Sequence, residues 1–432
     1  MTSKTRATTP APNIPGKKPA ARSLTWQAIP LASAIGVYGL TAAGWNTTMS
    51  LFLTNSVHVA PFLVGLFFTA RAAAGIVAGL VTGWISDRMR DRRVVIGLTS
   101  VAGALGGLCL AVFRDYTVLL ITVVVFTSIG SGAFGQLFAY SNELATARGR
   151  DITAFSSLMR SVFSATYVIG APLALSIMAA SGFTPLYTGA AALMLVSAAI
   201  GRFGLRPTPR KPVPAADPGV IPEAAPEAER AARARGGAWR GIRTAALPAR
   251  LWLLLGVIVV LGLVNQMYNI DIALHVTKDL GRSAQLVGWM LGLTAALEIP
   301  SMIIGGRLAR RVGSGRLVGL SALAGVVSFC LMPLAKSPAE LLAVSVLFGL
   351  WQGVALSIPM VMVQNETPGG VGISSSLYGA AFGAAGLLAG AVAGGAASAV
   401  GYGGVLWVGA ALSAVAAVLM AGRLAFPRPA RA

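Results

Sequence analysis

Apolar runs of roughly 18 to 25 residues, each closed by a charge, a proline or a glycine, recur from one end of the chain to the other. At 1.5 Å per residue, one such run wound as a helix crosses a hydrocarbon core of about 30 Å. The pattern predicts twelve helices. Six lie near 27–54, 61–85, 94–113, 117–140, 152–180 and 185–205, and six near 250–277, 284–309, 316–335, 338–363, 372–399 and 403–425. Residues 206–249 are rich in Pro, Ala, Arg and Glu without apolar periodicity, and read as a cytoplasmic linker. The expected organisation is a tail (1–26), a six-helix bundle (27–205), the linker (206–249), a second six-helix bundle (250–425) and a tail (426–432).

Composition agrees with an all-α integral membrane protein. Hydrophobic residues make up 55% of the 432 and charged ones 11%, against about 25% charged in a soluble chain. The net charge of +20 suggests nucleic acid until the basic residues are placed. Of the 34 Lys and Arg, only Arg114, Lys278, Arg282 and Lys336 fall on one face, and Arg71 and Arg160 lie within helices. The rest collect on the opposite face, which the positive-inside rule makes cytoplasmic. The chain is thus expected in the cell membrane as a multi-pass protein with both termini cytoplasmic, its polar N-terminus a tail and not a signal peptide. Cys109 and Cys330 are far apart, and only His58 and His275 supply imidazole. No metal centre, disulfide framework or cofactor is expected.

The two halves echo each other. Leu51 and Thr54 recur as Leu274 and Thr277, Leu63-Val64-Gly65 as Leu286-Val287-Gly288, Gly83 as Gly306, and Asn142-Glu143 as Asn365-Glu366, all at an offset of 223. Beyond the loop between helices 10 and 11 the offset is 219, and Ser156-Ser157-Leu158 with Phe163 recurs as Ser375-Ser376-Leu377 with Phe382. Two pseudo-symmetric six-helix bundles about an axis along the membrane normal, with a site between them, are the architecture of a secondary transporter.

Between helices 2 and 3 stands Gly83-Trp84-Ile85-Ser86-Asp87-Arg88-Met89-Arg90-Asp91-Arg92-Arg93, with a degenerate copy from Gly306 to Gly313. The glycine admits a close neighbour, and the arginines can hold carboxylates. This loop resembles the signature of the major facilitator superfamily. That resemblance implies a cytoplasmic gate at Gly83, Asp87, Arg88, Asp91, Arg92 and Arg93. Within the superfamily the chain is similar to bacterial sugar efflux transporters, through Leu51-Phe52-Leu53 to Pro61, Gly65-Leu66-Phe67, Gln136-Leu137-Phe138-Ala139, Phe155 to Arg160, Val168-Ile169-Gly170 with Pro172, Asn265 with Met267-Tyr268 and Asp271, and Leu297-Glu298-Ile299-Pro300. It departs from them at Arg90, where the family has Gly, and at Arg71, where it has an uncharged polar residue. The resemblance implies export of sugars or glycosides by alternating access, with proton antiport. Gly170 and Pro172 also resemble the helix-5 Gly-Pro kink of antiporters, where a missing backbone donor bends the helix.

Four ionisable residues lie within helices: Arg71, Arg160, Asp271 and Glu298. A charge at the bilayer centre costs roughly 2.5 to 3.5 kcal/mol, so each should face water or a partner. With the cations in the first half and the anions in the second, pairing across the interface is expected, and Asp271 and Glu298 are the candidates for proton coupling. Helix 7 carries Asn265, Tyr268 and Asn269 at helical spacing, with Gln266 adjacent. Amides bracket sugar hydroxyls and aromatic rings cover the C–H face of a pyranose. Trp45 and Asn46, Gln136, and Trp351 with Gln352 join Arg71, Arg160, Asp271 and Glu298 as candidate substrate contacts. Helix 11 offers a small-residue face at Gly379, Gly383, Gly386, Gly390 and Gly394.

Gly130-Ser131-Gly132-Ala133-Phe134-Gly135 matches a dinucleotide-binding fingerprint but follows no strand. No phosphate-binding Gly-Lys-Ser/Thr loop and no nucleophile with a histidine partner point to an enzyme. The expected partners are a sugar or glycoside, the proton and the lipid bilayer, not nucleic acid, and the expected state is a monomer. The alternatives are an exporter of amphipathic drugs in the same superfamily and, further off, a non-transporting membrane sensor.

Overall fold

Local punctuation starts and stops each helix of the computed structural model, which describes residues 22–89, 91–207, 248–367 and 371–425. Residues 1–21 of the expected N-terminal tail, the C-terminal tail, most of the linker, Arg90 and the side chain of Asp87 lie outside the described residues, and the tail's last five residues, 22–26, instead open the first helix. The first half holds α1 (Arg22–Asn55), α2 (Pro61–Arg88), α3 (Arg92–Val112), α4 (Tyr116–Ala147), α5 (Ile152–Ser181) and α6 (Phe183–Ala199), the last wound into a π turn over Ile200–Gly204. The second holds α7 (Ala249–Leu274) with a π turn over His275–Asp279, α8 (Ala284–Val312), α9 (Ser314–Leu331) and α10 (Pro338–Glu366). The final helical stretch, Val371–Ala425, breaks at Gly401, whose φ of 75° and ψ of 175° divide it into α11 (371–400) and α12 (402–425). Among the described residues this makes twelve helices long and apolar enough to cross a membrane.

Caps account for the starts. Asp91, Asp115 and Ser283 accept from the first turns of α3, α4 and α8, and Ser337 with Glu340 forms a capping box on α10, followed by Pro338. Gly182, at φ 83°, turns α5 into α6 just as Gly401 turns α11 into α12, and the two stand 219 residues apart, the offset of the repeat. Only glycine adopts that conformation without strain. Helix α4 continues to Ala147, past the apolar run that ends near 140, because its polar last turns stay wound and carry Glu143 to an arginine of α3.

Each half has its own apolar core. In the first, α1 packs on α5, and α3 on α4 and α6; in the second, α7 packs on α11, α8 on α10, and α9 on α12. The outer surface is apolar as well. Leu80 and Val418 are 72% and 70% exposed, which suits helices whose backbone bonds are internal and whose solvent is lipid. The halves meet through α2 with α11, α5 with α8, and α1 with α7.

Two glycine seams make that meeting close. A Cβ on Gly65 of α2 would lie 2.2 Å from Gly390 O and 2.6 Å from Gly394 Cα of α11. Further along α11 the contact with α2 loosens: Gly386 would meet Ala72 at 4.0 Å, Gly383 would meet Ile76 at 3.6 Å, and Gly379 nothing within 4 Å among the described residues. The halves are therefore pressed together at the end bearing the α1–α2 and α7–α8 loops and diverge toward the end bearing the α2–α3 loop.

Candidate functional site

Between the diverging halves lies a cavity of about 320 Å³, walled by α1, α2, α4, α5, α7 and α11. Its polar lining comes from both halves: Asn46, Arg71, Ser128, Ser131 and Tyr167 from the first, Gln266 and Asn269 from the second. Phe68 adds an aromatic face. Arg71 Nη2 donates to Asn46 Oδ1 at 2.9 Å, and Asn46 Nδ2 donates to the Tyr167 hydroxyl at 3.4 Å. A chain of three side chains on three helices thus fixes the amide and the guanidinium. Opposite them, Asn269 Nδ2 donates to Asn265 O at 2.9 Å, which holds it at the cavity wall. Paired donors and acceptors around a wet void suit a polyhydroxylated ligand.

The other candidates are distributed elsewhere. Gln136 is buried, and its Oε1 accepts from Arg92 Nη1 at 2.6 Å, so it braces the α2–α3 loop and not the cavity. Tyr268 and Trp351 belong to an aromatic core with Phe329 and Phe348; the Tyr268 and Phe348 rings stack with centroids 3.8 Å apart. Trp45 packs beside Gly103 of α3 and lines a separate apolar groove of about 380 Å³ among α1, α5 and α6. Asn265 is buried behind Asn269.

The expected pairing of membrane charges across the interface is corrected by these contacts. Arg71 has an amide partner, and Glu298 accepts from Gln352 Nε2 at 3.1 Å within the second half. Arg160 is exposed near the open end, where Tyr378 of α11 is within electrostatic reach of both Arg160 and Glu298. Asp271 is 2% exposed in the closed seam beside Gly65, Gly394 and Tyr402, and its Oδ2 accepts no hydrogen bond from the described residues. One turn on, His275 Nδ1 lies 2.9 Å from Asp279 Oδ2, which also accepts from Gly403 N at 2.8 Å.

At the opposite end, the α2–α3 loop is an electrostatic clamp. Arg92 Nε donates to Glu143 Oε1 at 3.0 Å. Asp91 accepts from Arg93 Nε at 2.9 Å and Nη2 at 2.7 Å, and caps α3 through Arg93 N. Those bonds hold the Asp91 carboxyl below the usual carboxylate range. Arg88 lies 3.7 Å over the Trp84 ring, and a Cβ on Gly83 would meet nothing within 4 Å. The repeat-related Glu366 is bonded by Arg423 of α12, so the two halves clamp equivalent glutamates with arginines from different helices. In α5, a Cβ on Gly170 would lie 2.7 Å from the Ala43 methyl of α1, while Pro172 faces α8.

Tyr167, Ser128 and Ser131 were not among the expected contacts. Tyr167 sits seven residues after Arg160 on α5, two turns along the same face. Ser131 lies inside the glycine stretch that mimics a nucleotide fingerprint, whose glycines serve packing: a Cβ on Gly130 would lie 2.6 Å from Gly103 Cα, and one on Gly132 2.9 Å from Thr82 Oγ1.

The sequence profile of the Major Facilitator Superfamily matches residues 31–270 and 254–432. Sugar efflux transporter B of Salmonella typhimurium is 35% identical over 341 residues, 79% of this chain and 81% of that protein. Sugar efflux transporter A of Escherichia coli (strain K12) is 31% identical over 391 residues, 90% and 94% of the two chains. A crystal structure of the nucleoside transporter NupG superposes with a TM-score of 0.74 at 15% identity, covering 92% of this chain and 99% of that one. At that identity, the likeness is one of fold.

Proposed function

Since the chain belongs to the Major Facilitator Superfamily, we propose that it exports sugars or glycosides by alternating access, in exchange for protons. The observation that carries the reading is the cavity shared by both halves and lined by Asn46, Tyr167, Gln266 and Asn269. Its amides and hydroxyls suit sugar hydroxyls, and the names of the similar proteins point to the same substrate class. The basic α2–α3 loop marks the open end as cytoplasmic, so this conformation faces inward, with both termini in the cytoplasm.

Two close crossings support alternating access, Gly65 of α2 against Gly390 and Gly394 of α11, and Gly288 of α8 against Pro172 of α5. Opening the outer end requires Gly65 to leave Gly390 and Gly394, and Gly288 to leave Pro172, while the α2–α3 loop end closes. Asp271 lies in the first seam. An ionised carboxylate buried there is expensive and a protonated one is not. A proton taken there when the seam is wet lets the empty carrier turn inward, and its release toward the cytoplasm-facing cavity, which shares Ile270 with the seam, must precede the outward turn of the loaded carrier for one proton to enter per sugar exported. Glu298, bonded to Gln352, is a second candidate for the same role.

Counterflow of labelled lactose in proteoliposomes tests the reading. We expect saturable exchange and, under an imposed pH gradient, accumulation against the lactose gradient. Folded protein that exchanges no sugar would sink it and turn attention to amphipathic drugs.

A further inference from the structure

Among the described residues lining the central cavity, one side chain is charged, and its charge is positive. Arg71 donates to the neutral acceptor Asn46 Oδ1 at 2.9 Å. The titratable groups facing it are the phenols of Tyr38, Tyr167 and Tyr187, with no carboxylate among them. The intramembrane acids are committed elsewhere, Glu298 to Gln352 and Asp271 to the closed seam.

A guanidinium presents five donors in a rigid fork that matches the two oxygens of a carboxylate or the oxygens of a phosphate. Asn46 takes one of those donors and, through its bond to Tyr167, fixes the orientation of the fork at the cavity wall. A cation among membrane helices is costly without a counter-charge, and none of the described residues lining the cavity supplies one. A neutral sugar gives the fork only hydroxyl oxygens, whereas an anion gives charge-assisted bonds about twice as strong.

Resting on the sugar-export reading, the geometry points to a substrate that carries an anionic group, a sugar or glycoside bearing a carboxylate or a phosphate, held through Arg71. The rest of the cavity reads the hydroxyls. Arg160, exposed toward the open end, adds a second positive charge on the cytoplasmic approach.

The test compares matched ligands by counterflow in proteoliposomes. 4-Nitrophenyl β-D-glucuronide and 4-nitrophenyl β-D-glucoside differ only in a carboxylate against a hydroxymethyl group at C6, and glucose 6-phosphate against glucose repeats the comparison with a phosphate. We expect KM for at least one anion to lie at least tenfold below that of its neutral twin. Arg71→Gln disturbs the bond to Asn46 for every ligand, so both KM values should rise, but the anion's by at least tenfold more than its neutral twin's, and Arg71→Lys should keep part of the preference. Should Arg71→Gln fail to fold, the lysine variant and the wild-type ligand pairs carry the result. Wild-type protein that exchanges the neutral sugars as well as the anions overturns this inference and leaves sugar export standing. Folded protein that exchanges neither sugars nor their anionic twins overturns both.

Discussion

Pro172 of α5 fits against Gly288 of α8 so closely that a Cβ on Gly288 would lie 2.9 Å from Pro172 Cα, and one on Gly292 2.8 Å from Pro172 Cγ. Gly288 is the repeat mate of Gly65, which meets Gly390 and Gly394 of α11 in the same manner. The duplicated sequence thus places one glycine at each of two equivalent crossings between the halves. Small residues are what let membrane helices approach so far.

Filling either crossing should wedge the outer end open. Overpacking of this kind costs about 1 to 3 kcal/mol, charged here to the inward-facing state alone. We expect Gly65→Val and Gly288→Val each to lower maximal counterflow at least tenfold, with normal yield of folded protein. Gly97→Ala, at a site with nothing within 4 Å of the added methyl, should stay within twofold. Equal activity in all three would remove the seams from the transport cycle.

The cavity network gives a second expectation. Asn46→Ala takes away the acceptor of Arg71 and the donor to Tyr167 together. Losing a hydrogen bond to a charged group is worth about 1.5 to 3 kcal/mol, which corresponds to a KM increase of roughly ten- to a hundredfold. Tyr167→Phe removes only the long outer bond of 3.4 Å and should raise KM about threefold. A reversed order of the two effects would show that the chain of contacts does not organise the site.

The helices, their duplication and the small-residue face of α11 could be read from the chain, because apolar length and repeat register are local properties, whereas what each glycine crosses could not. The site was legible only in part. On α7, 100° per residue sets Tyr268 about 160° and Asp271 about 140° around from Gln266, so one polar cluster serves different neighbours: Gln266 and Asn269 the cavity, Tyr268 the aromatic core, Asp271 the seam. Periodicity names a face but not what covers it. Gln136 misled for a related reason, since its partner Arg92 lies 44 residues away on α3. Ser131 was hidden by the glycines that pack its helix.

The clamp at the α2–α3 loop should matter for stability in proportion to burial. The Arg92 side chain is 9% exposed and bonds both Glu143 and Gln136, whereas Arg88 is exposed over Trp84. Breaking a buried ion pair costs about 3 to 5 kcal/mol, and with Glu143 at 27% exposure about 2 kcal/mol is the expected scale. Arg92→Ala should lower the apparent Tm in detergent by several degrees and Arg88→Ala by a degree or less. Similar losses would mean that the Arg92 contacts are as weak as surface ones.

Asp91 gives the clamp a pH signature. Its carboxyl is held low by the Arg93 bonds, so the folded state binds a proton less readily than the unfolded state. The stability this adds is fully present above the unfolded pKa of about 3.9 and is lost as pH falls through the lower folded value. The Tm difference between wild type and Asp91→Asn should therefore be flat from pH 5 to pH 7 and shrink only below about pH 4. A difference that changes between pH 5 and pH 7 would assign the effect to another group.

Asp271 and Glu298 can be separated because they occupy different places. Asp271 lines the closed seam and not the cavity, the two sharing only Ile270 among their lining residues, so its proton should govern the return of the empty carrier and not substrate affinity. Glu298 is bonded to Gln352 across α8 and α10 and approaches Tyr167 of the cavity network electrostatically. We expect Asp271→Asn to keep counterflow within threefold and to lose accumulation driven by a pH gradient. Glu298→Gln, which keeps the shape and replaces an acceptor by an amide, should raise KM several-fold and retain coupling. Counterflow at equal pH, followed by uptake under a pH gradient of about two units, measures both. If Asp271→Asn still accumulates substrate while Glu298→Gln does not, the coupling proton belongs to the α8–α10 pair, and the seam closes without one.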